Sequence, residues 1–270
     1  MMKKIILDCN DYIQYGDSMS YTAKTDTAFE LLRRDILNGI HAPDEPLRIS
    51  SLSTLYGVSA TPLREALSRL EEKRLVVASA NRGWRVAPVS LAELGDLEFA
   101  RLSIESAMLE DSIAHGDLNW ESGIVAAHHR LSQTRPPLGD ADRETRQAWM
   151  EAHDGFHLAL IAAGRSSWLR GFHMQVTEQL QRHHQALLYH PRRINPDGPD
   201  HHLPETSDLL RRAHAMEPHT QLMQVALDRA AAQAKEMLAA HIEITLTVYR
   251  AIVNAVKDDK KTINSEETNR

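Results

Sequence analysis

The sequence predicts a mainly α-helical chain of two domains: an N-terminal winged helix-turn-helix and a C-terminal all-α helical bundle. Three observations carry this reading. Between Leu47 and Pro88 a short helix pattern, a glycine and a second helix pattern are followed by a β-branched hairpin. After Pro88 no strand pattern recurs and the apolar residues keep a helical period. The length of 270 residues accommodates two domains of ordinary size, and 42% apolar residues suffice for a core in each.

In the first domain, residues 1–22 lack periodicity and read as a flexible tail, and the folded domain is expected over 23–88. A helix from Lys24 places Phe29, Leu32, Ile36 and Ile40 on one face, with Gly39 near its end. His41 to Pro46 is a turn into a short strand, Leu47-Arg48-Ile49. Leu52 and Leu55 then form an apolar stripe, and Gly57 supplies a residue free to take positive φ. Ser59 is an N-cap candidate, and Pro62 falls early in the next helix, where its missing N–H costs nothing. Leu63, Ala66, Leu67 and Leu70 bury one face, leaving Thr61, Arg64, Ser68 and Arg69 on the other. Leu75-Val76-Val77 and Trp84-Arg85-Val86 are strands joined by Ala80-Asn81-Arg82-Gly83, a wing tipped by Arg82.

This stretch is locally basic in an acidic chain. Arg48, Arg64, Arg69, Lys73, Arg74, Arg82 and Arg85 stand against Glu65, Glu71 and Glu72, although the whole carries a net charge of −6. A local positive surface suits phosphate neutralisation, and the overall charge argues against a protein that coats nucleic acid nonspecifically. A single cysteine, Cys9, excludes an intramolecular disulfide and suits a reducing cytoplasm. No apolar run is long enough to span a membrane.

The second domain is expected over 89–256. Ser90 and Glu93 form a capping box for a helix reaching His115 and closed by Gly116, with Leu94, Leu97, Ile104, Met108 and Leu109 on its apolar stripe. Helices follow over about Asn119–Thr134, Ala141–Ala163 and Ser167–Tyr189. His190–Pro204 is a long loop by composition, and helical segments then cover Glu205–Met216, Glu217–Ala226 and Asp228–Val256, with Pro218 separating the first two. Residues 257–270 are polar and read as a disordered tail.

Fifteen histidines are many for this length, so their positions matter. His153 and His157 stand four apart on one helix, one turn above the other, and can close on one metal ion. His219 and His241 could reach the same point if the last helices pack antiparallel; each could equally be a hydrogen-bonded core histidine. The pairs His128-His129, His183-His184 and His201-His202 diverge on a helix and read as surface. Arg101 falls near the apolar stripe of its helix. It either pairs with Glu105, one turn on, or clamps an anionic effector.

The residues carry a resemblance. Gly57-Val-Ser-Ala-Thr-Pro-Leu-Arg-Glu-Ala-Leu67, with the wing that follows, is similar to the DNA-binding domain of the GntR family of bacterial repressors. The resemblance implies that Ser59, Thr61, Arg64 and the wing tip at Arg82 and Gly83 meet DNA. Ala60 departs from the arginine usual there and cannot make a bidentate contact to guanine, so Arg48 or Arg69 takes more of the load. Residues 91–250 resemble the FCD effector domain of the FadR branch, on R-L-S-I-E-S-A-M-L, F-H-L-A-L-I-A-A-G, H-T-Q-L-M-Q-V-A-L and M-L-A-A-H-I.

Many such domains bind a divalent metal through one Asp and three His. The resemblance maps the three onto His157, His219 and His241 and puts His153 at the Asp position, with Asp154 as a rival ligand. Zinc is the expected ion, with nickel or manganese as alternatives. His153 and D-E-P-L-R-I-S further resemble the carbon-starvation-induced type, which responds to glutarate-type dicarboxylates. The expectation is a cytoplasmic homodimer on a palindromic double-stranded operator, repressing until a small carboxylate effector binds near Arg101. A metal sensor and a metal-dependent hydrolase are the competing readings.

Overall fold

The computed structural model describes residues 24–79, 83–138, 141–189 and 204–267. Its contacts divide the chain into two compact units, Met1–Pro88 and Val89–Arg270. Arg82, the expected loop at 190–203 and the expected tail at 1–22 lie outside the described residues.

The first unit holds α1 (24–37), β1 (Pro46–Leu47), α2 (Ile49–Tyr56), α3 (Ala60–Glu72), β2 (Val76–Ser79) and β3 (Gly83–Val86). The three strands form an antiparallel sheet in the order β1-β3-β2, with Leu47 opposite Trp84 and Val76 opposite Val86. Gly57 ends α2 at φ 65°, the left-handed conformation its position requires, and its N–H caps the Ser53 carbonyl. Ala28, Leu32, Ile36, Leu52, Leu63, Leu67, Leu70 and Val86 meet in one core. Two expected core residues do not: Ile40 and Leu55 are exposed. Ile40 lies past the end of α1, and α2 is so short that Leu52 alone is buried from it. The strand expected over Leu47–Ile49 stops at Leu47, because Arg48 takes the N-cap of α2 and Ile49 enters the helix.

A polar clasp ties α1 to α2. The Tyr56 hydroxyl donates to Asp35 at 2.8 Å and lies 2.9 Å from the His41 ring, whose other nitrogen meets Glu45. Burial and the hydrogen bond to Asp35 raise the Tyr56 pKa, so it stays a donor throughout the accessible pH range.

The second unit contains α4 (Leu91–His115), α5 (Leu118–Gln133), α6 (Arg143–Leu160) and α7 (Ser167–His184). A π-helical turn (Gln185–Tyr189), α8 (Pro204–Ala213), α9 (Met216–Leu227) and α10 (Ala231–Glu267) complete it. Helix α4 packs on α7 and α10, α5 on α6 and α9, and α10 on α8 and α9. Phe156, Leu109, Ile124, Met108, Leu160 and Leu238 centre the core. Pro218 lies in the first turn of α9, as its chemistry demands. Helix α10 runs through Glu267, where the polar composition had predicted a disordered tail from 257. Lys, Glu and Asn in that stretch are compatible with a helix.

The stripe that α4 buries also differs from its apolar pattern. Its buried residues are Leu94, Glu98, Arg101, Glu105, Met108, Leu109, Ser112 and Ile113, whereas Leu97 and Ile104 are half-buried. Three charged side chains occupy the middle of the packed face, where the Arg101 guanidinium lies between the two carboxylates. At the helix start, Ser90 accepts from the Glu93 N–H, as a capping box requires, but the Glu93 carboxylate turns to His183 at 3.2 Å. Gly116 follows α4 where the Trp120 ring closes in: a Cβ there would overlap that ring and approach the Ser112 carbonyl oxygen to 2.7 Å.

Two stability outcomes follow from these contacts. Gly116→Ala is expected to destabilise the second unit by about 1–3 kcal/mol through overpacking. Tyr56→Phe is expected to cost the first unit about 1–3 kcal/mol by leaving the Asp35 carboxylate without its buried donor. Urea denaturation of each variant beside the wild type measures both.

Candidate functional site

Two surfaces bring the sequence-predicted residues together, one in each unit. In the first, α3 buries Pro62, Leu63, Ala66, Leu67 and Leu70, so its other side faces solvent. Ser59, Thr61 and Arg64 are exposed there; Arg48 is exposed at the start of α2, and Gly83 at the start of β3 with φ 82°. Ser59 holds the N-cap position but its hydroxyl makes no capping bond, which leaves it available to a ligand. Arg69 is placed differently. Its guanidinium meets Asp26 at 2.7 Å and lies over the Phe29 ring at 4.3 Å, so it braces α3 against α1. Spacing on α3 could not show this, because both partners come from another helix.

In the second unit, His153 and His157 of α6 meet His219 of α9 and His241 of α10. One ligand nitrogen from each lies within 4.8 Å of all the others. His153 Nε2 and His241 Nε2 are 3.4 Å apart. Two nitrogens bound tetrahedrally to one ion at about 2.1 Å would stand about 3.4 Å apart. Burial first, and then the neighbouring histidines, push the pKa values of His153, His157 and His241 well below the usual range; His219 falls to about 4 through burial. The rings are therefore neutral at pH 7, with lone pairs to offer.

The orphaned atoms fit the same purpose. His219 Nδ1 donates to the Ala215 carbonyl at 2.8 Å, which fixes its tautomer and leaves buried Nε2 with no hydrogen-bond partner. Neither ring nitrogen of His157 has one. The four histidines could hold a metal ion. Asp154 lies outside this set: it contacts His153 Nδ1 at 3.3 Å, and its side chain is two-fifths exposed.

Arg101 stands beside the cluster, 6% exposed. Its Nε donates to Glu105 at 2.8 Å and its Nη1 lies 3.6 Å from Glu98. Burial opposes the guanidinium charge, but the two carboxylates outweigh it and raise the pKa. The pairing with Glu105 that helix spacing allowed is therefore present, and Arg101 also lines two clefts. One, of about 310 Å³ including its mouth, is lined by Glu105, Asp154, His157, His173 and His184 among others. The other, about 530 Å³, adds Trp149, Met150, Leu210, His214 and Tyr249. Arg101, Asp154 and His184 are common to both.

Sequence reasoning missed three histidines here. His183 is fully buried and His184 lines both clefts, although the adjacent pair had been expected at the surface. The end of α7 is enclosed by the packing of its neighbours, so both rings find buried partners: His183 bonds the Gln179 carbonyl, and His184 stacks on Tyr249 at 5.5 Å. The His173 ring turns to another helix, its Nε2 meeting Glu105 at 2.9 Å. His128 is half-buried against Thr220, and His201-His202 lies outside the described residues.

Metal-free protein should lose stability as pH falls. The unfolded chain protonates these histidines near pH 6.5, whereas the folded rings resist, so the unfolded state binds more protons below that value. At pH 5.5 the loss is expected to be about 1 kcal/mol for His219 alone, continuing until pH reaches its folded pKa of about 4. Thermal unfolding in excess chelator at pH 7 and 5.5 checks the sign, and His219→Ala should flatten the slope.

Comparison with known proteins places these surfaces. Residues 24–86 match the family described as bacterial regulatory proteins, gntR family, and residues 96–244 match the FCD domain. The HTH-type transcriptional regulator BphR of Paraburkholderia xenovorans is 33% identical over 83% of this chain and 84% of its own length. The HTH-type transcriptional repressor GlaR of Escherichia coli is 37% identical over 56% of this chain and 66% of its own length. These relatives support the family, and do not single out the carbon-starvation-induced type. A transcriptional regulator from Rhodococcus shares the fold with a TM-score of 0.62 at 19% identity, covering 85% of this chain and 98% of that one. E. coli McbR/YncC does so with a TM-score of 0.61 at 19% identity, over 84% and 97%. The chain belongs to the GntR family of bacterial regulatory proteins, in the branch with an FCD domain, and is a DNA-binding transcription regulator rather than an enzyme.

Proposed function

We propose that this protein is a repressor whose hold on its operator is set by a small carboxylate bound beside a metal ion in the FCD domain. One observation carries the reading: four neutral histidines, three of them buried, converge next to Arg101, and His157 and His153 each line one of the two clefts that Arg101 borders. The ion supplies positive charge that the chain lacks there, since Arg101 is already matched by Glu98 and Glu105. An acid entering either cleft meets Arg101, whose planar fork suits a carboxylate. The resemblance drawn from the sequence points to dicarboxylates of the glutarate type.

Zinc is the proposed ion, and nickel or manganese the alternatives. Four nitrogens complete a tetrahedral shell, as zinc prefers, whereas an octahedral ion would keep two positions for the acid. On the DNA side, Ser59, Thr61 and Arg64 of α3 read the duplex, assisted by Arg48 and by the wing at Arg82 and Gly83. The protein acts in the cytoplasm as a homodimer, so the operator is a palindrome whose half-sites mirror its two-fold symmetry. The effector works by binding one arrangement of the paired DNA-binding domains better than the other.

The same four-histidine set favours one second reading, a metal sensor in which the ion itself is the signal. Operator affinity measured with and without dicarboxylates, each with and without chelator, separates the two. A shift caused by the acid in metal-loaded protein supports the effector reading; a shift needing only metal supports the sensor. Arg64→Ala is expected to weaken operator binding by about 1–3 kcal/mol. His157→Ala is expected to lose the metal and the acid response while keeping the operator complex, as read by metal content and gel shift.

A further inference from the structure

The carboxylate of Glu105 is shared among three partners that come from three helices. Its Oε1 accepts from Arg101 Nε at 2.8 Å on α4 and meets His173 Nε2 at 2.9 Å on α7. Its Oε2 lies 3.9 Å from His157 Nδ1 on α6. Glu105 is 1% exposed and His157 2%, so no bulk water competes for these atoms. The contacts to Arg101 and His173 thus fix the Glu105 carboxylate in place.

His157 is its natural counterpart. Both ring nitrogens are buried without a hydrogen-bond partner, an expensive condition. A histidine that gives Nε2 to a metal must carry its proton on Nδ1, and it commonly donates that proton to a carboxylate. In this chain the carboxylate facing His157 Nδ1 is Glu105, at a distance that a small ring movement closes. We propose that Glu105 is the positioning residue that orients His157 for metal and, through the same carboxylate, joins metal loading to the setting of Arg101. A metal drawing His157 onto Oε2 takes hold of the group that carries the guanidinium on Oε1. The anion-binding arginine and the metal are thereby linked by one side chain, not merely adjacent.

This inference rests on the four-histidine metal reading, and the test keeps the two apart. Zinc affinity of the full-length protein is measured by competition with a chromophoric chelator for wild type, Glu105→Gln, Arg101→Gln and the double variant. Glu105→Gln is expected to weaken zinc binding about 10–100-fold, and the double variant by the same factor. Arg101→Gln alone should tighten zinc binding, because Glu105 is then free to serve His157; unchanged affinity would overturn the link to Arg101. In the zinc-loaded wild type the His157 Nδ1–H proton should give a downfield NMR resonance that moves upfield in Glu105→Gln. The proposal is overturned if Glu105→Gln binds zinc as wild type does. It is equally overturned if the double variant recovers wild-type affinity, since the loss would then come from an unpaired Arg101. A wild type that binds no zinc, nickel or manganese overturns the metal reading itself.

Discussion

A buried guanidinium between two buried carboxylates is the constraint around which the effector domain is arranged. Arg101, Glu98 and Glu105 fall on the packed face of α4, and none could be buried alone without a large desolvation cost. Together they form a charged layer that α6 and α7 must meet with polar groups of their own. His173 meets Glu105, His184 lies 3.6 Å from Glu98, and His157 faces the remaining Glu105 oxygen. The apolar core around Phe156, Leu109 and Ile124 adjoins this layer, with the Phe156 ring edge-on to His157 and His219.

The buried histidines beside that layer have a chemical consequence. Neutral imidazoles are the form in which histidine binds metal, and burial is what keeps these rings neutral. Burial also leaves nitrogens of His157 and His219 unsatisfied, so the apo domain holds polar atoms whose needs a divalent ion would meet. Arg101, the permanent cation beside the cluster, is committed to the carboxylates of Glu98 and Glu105.

The winged helix obeys simpler rules, and most of it was legible in the sequence. Gly57 at positive φ, Pro62 in the first turn of α3 and the apolar spacing of Leu63, Ala66, Leu67 and Leu70 each have one local solution, and all three agree. The same spacing left Thr61 and Arg64 exposed. Arg69 shows where this logic ends: its place on the helix was readable, but Asp26 and Phe29, which hold it, belong to another helix.

The sequence by itself determined the two-domain layout, the helical period of the second domain, the i, i+4 placement of Arg101 and Glu105 on one face and that of His153 above His157. All of these are fixed by local geometry, because neighbours one turn apart must share a face. Tertiary structure alone decided that His219 and His241 join them and that Asp154 stands outside the set. It also decided that His173, and His184 from a pair read as surface, line the cleft beside Arg101. Those contacts link residues tens of positions apart, and their chemistry depends on the dielectric environment that packed helices create around them. A periodic pattern records which face of a helix is covered, but not which foreign side chain covers it.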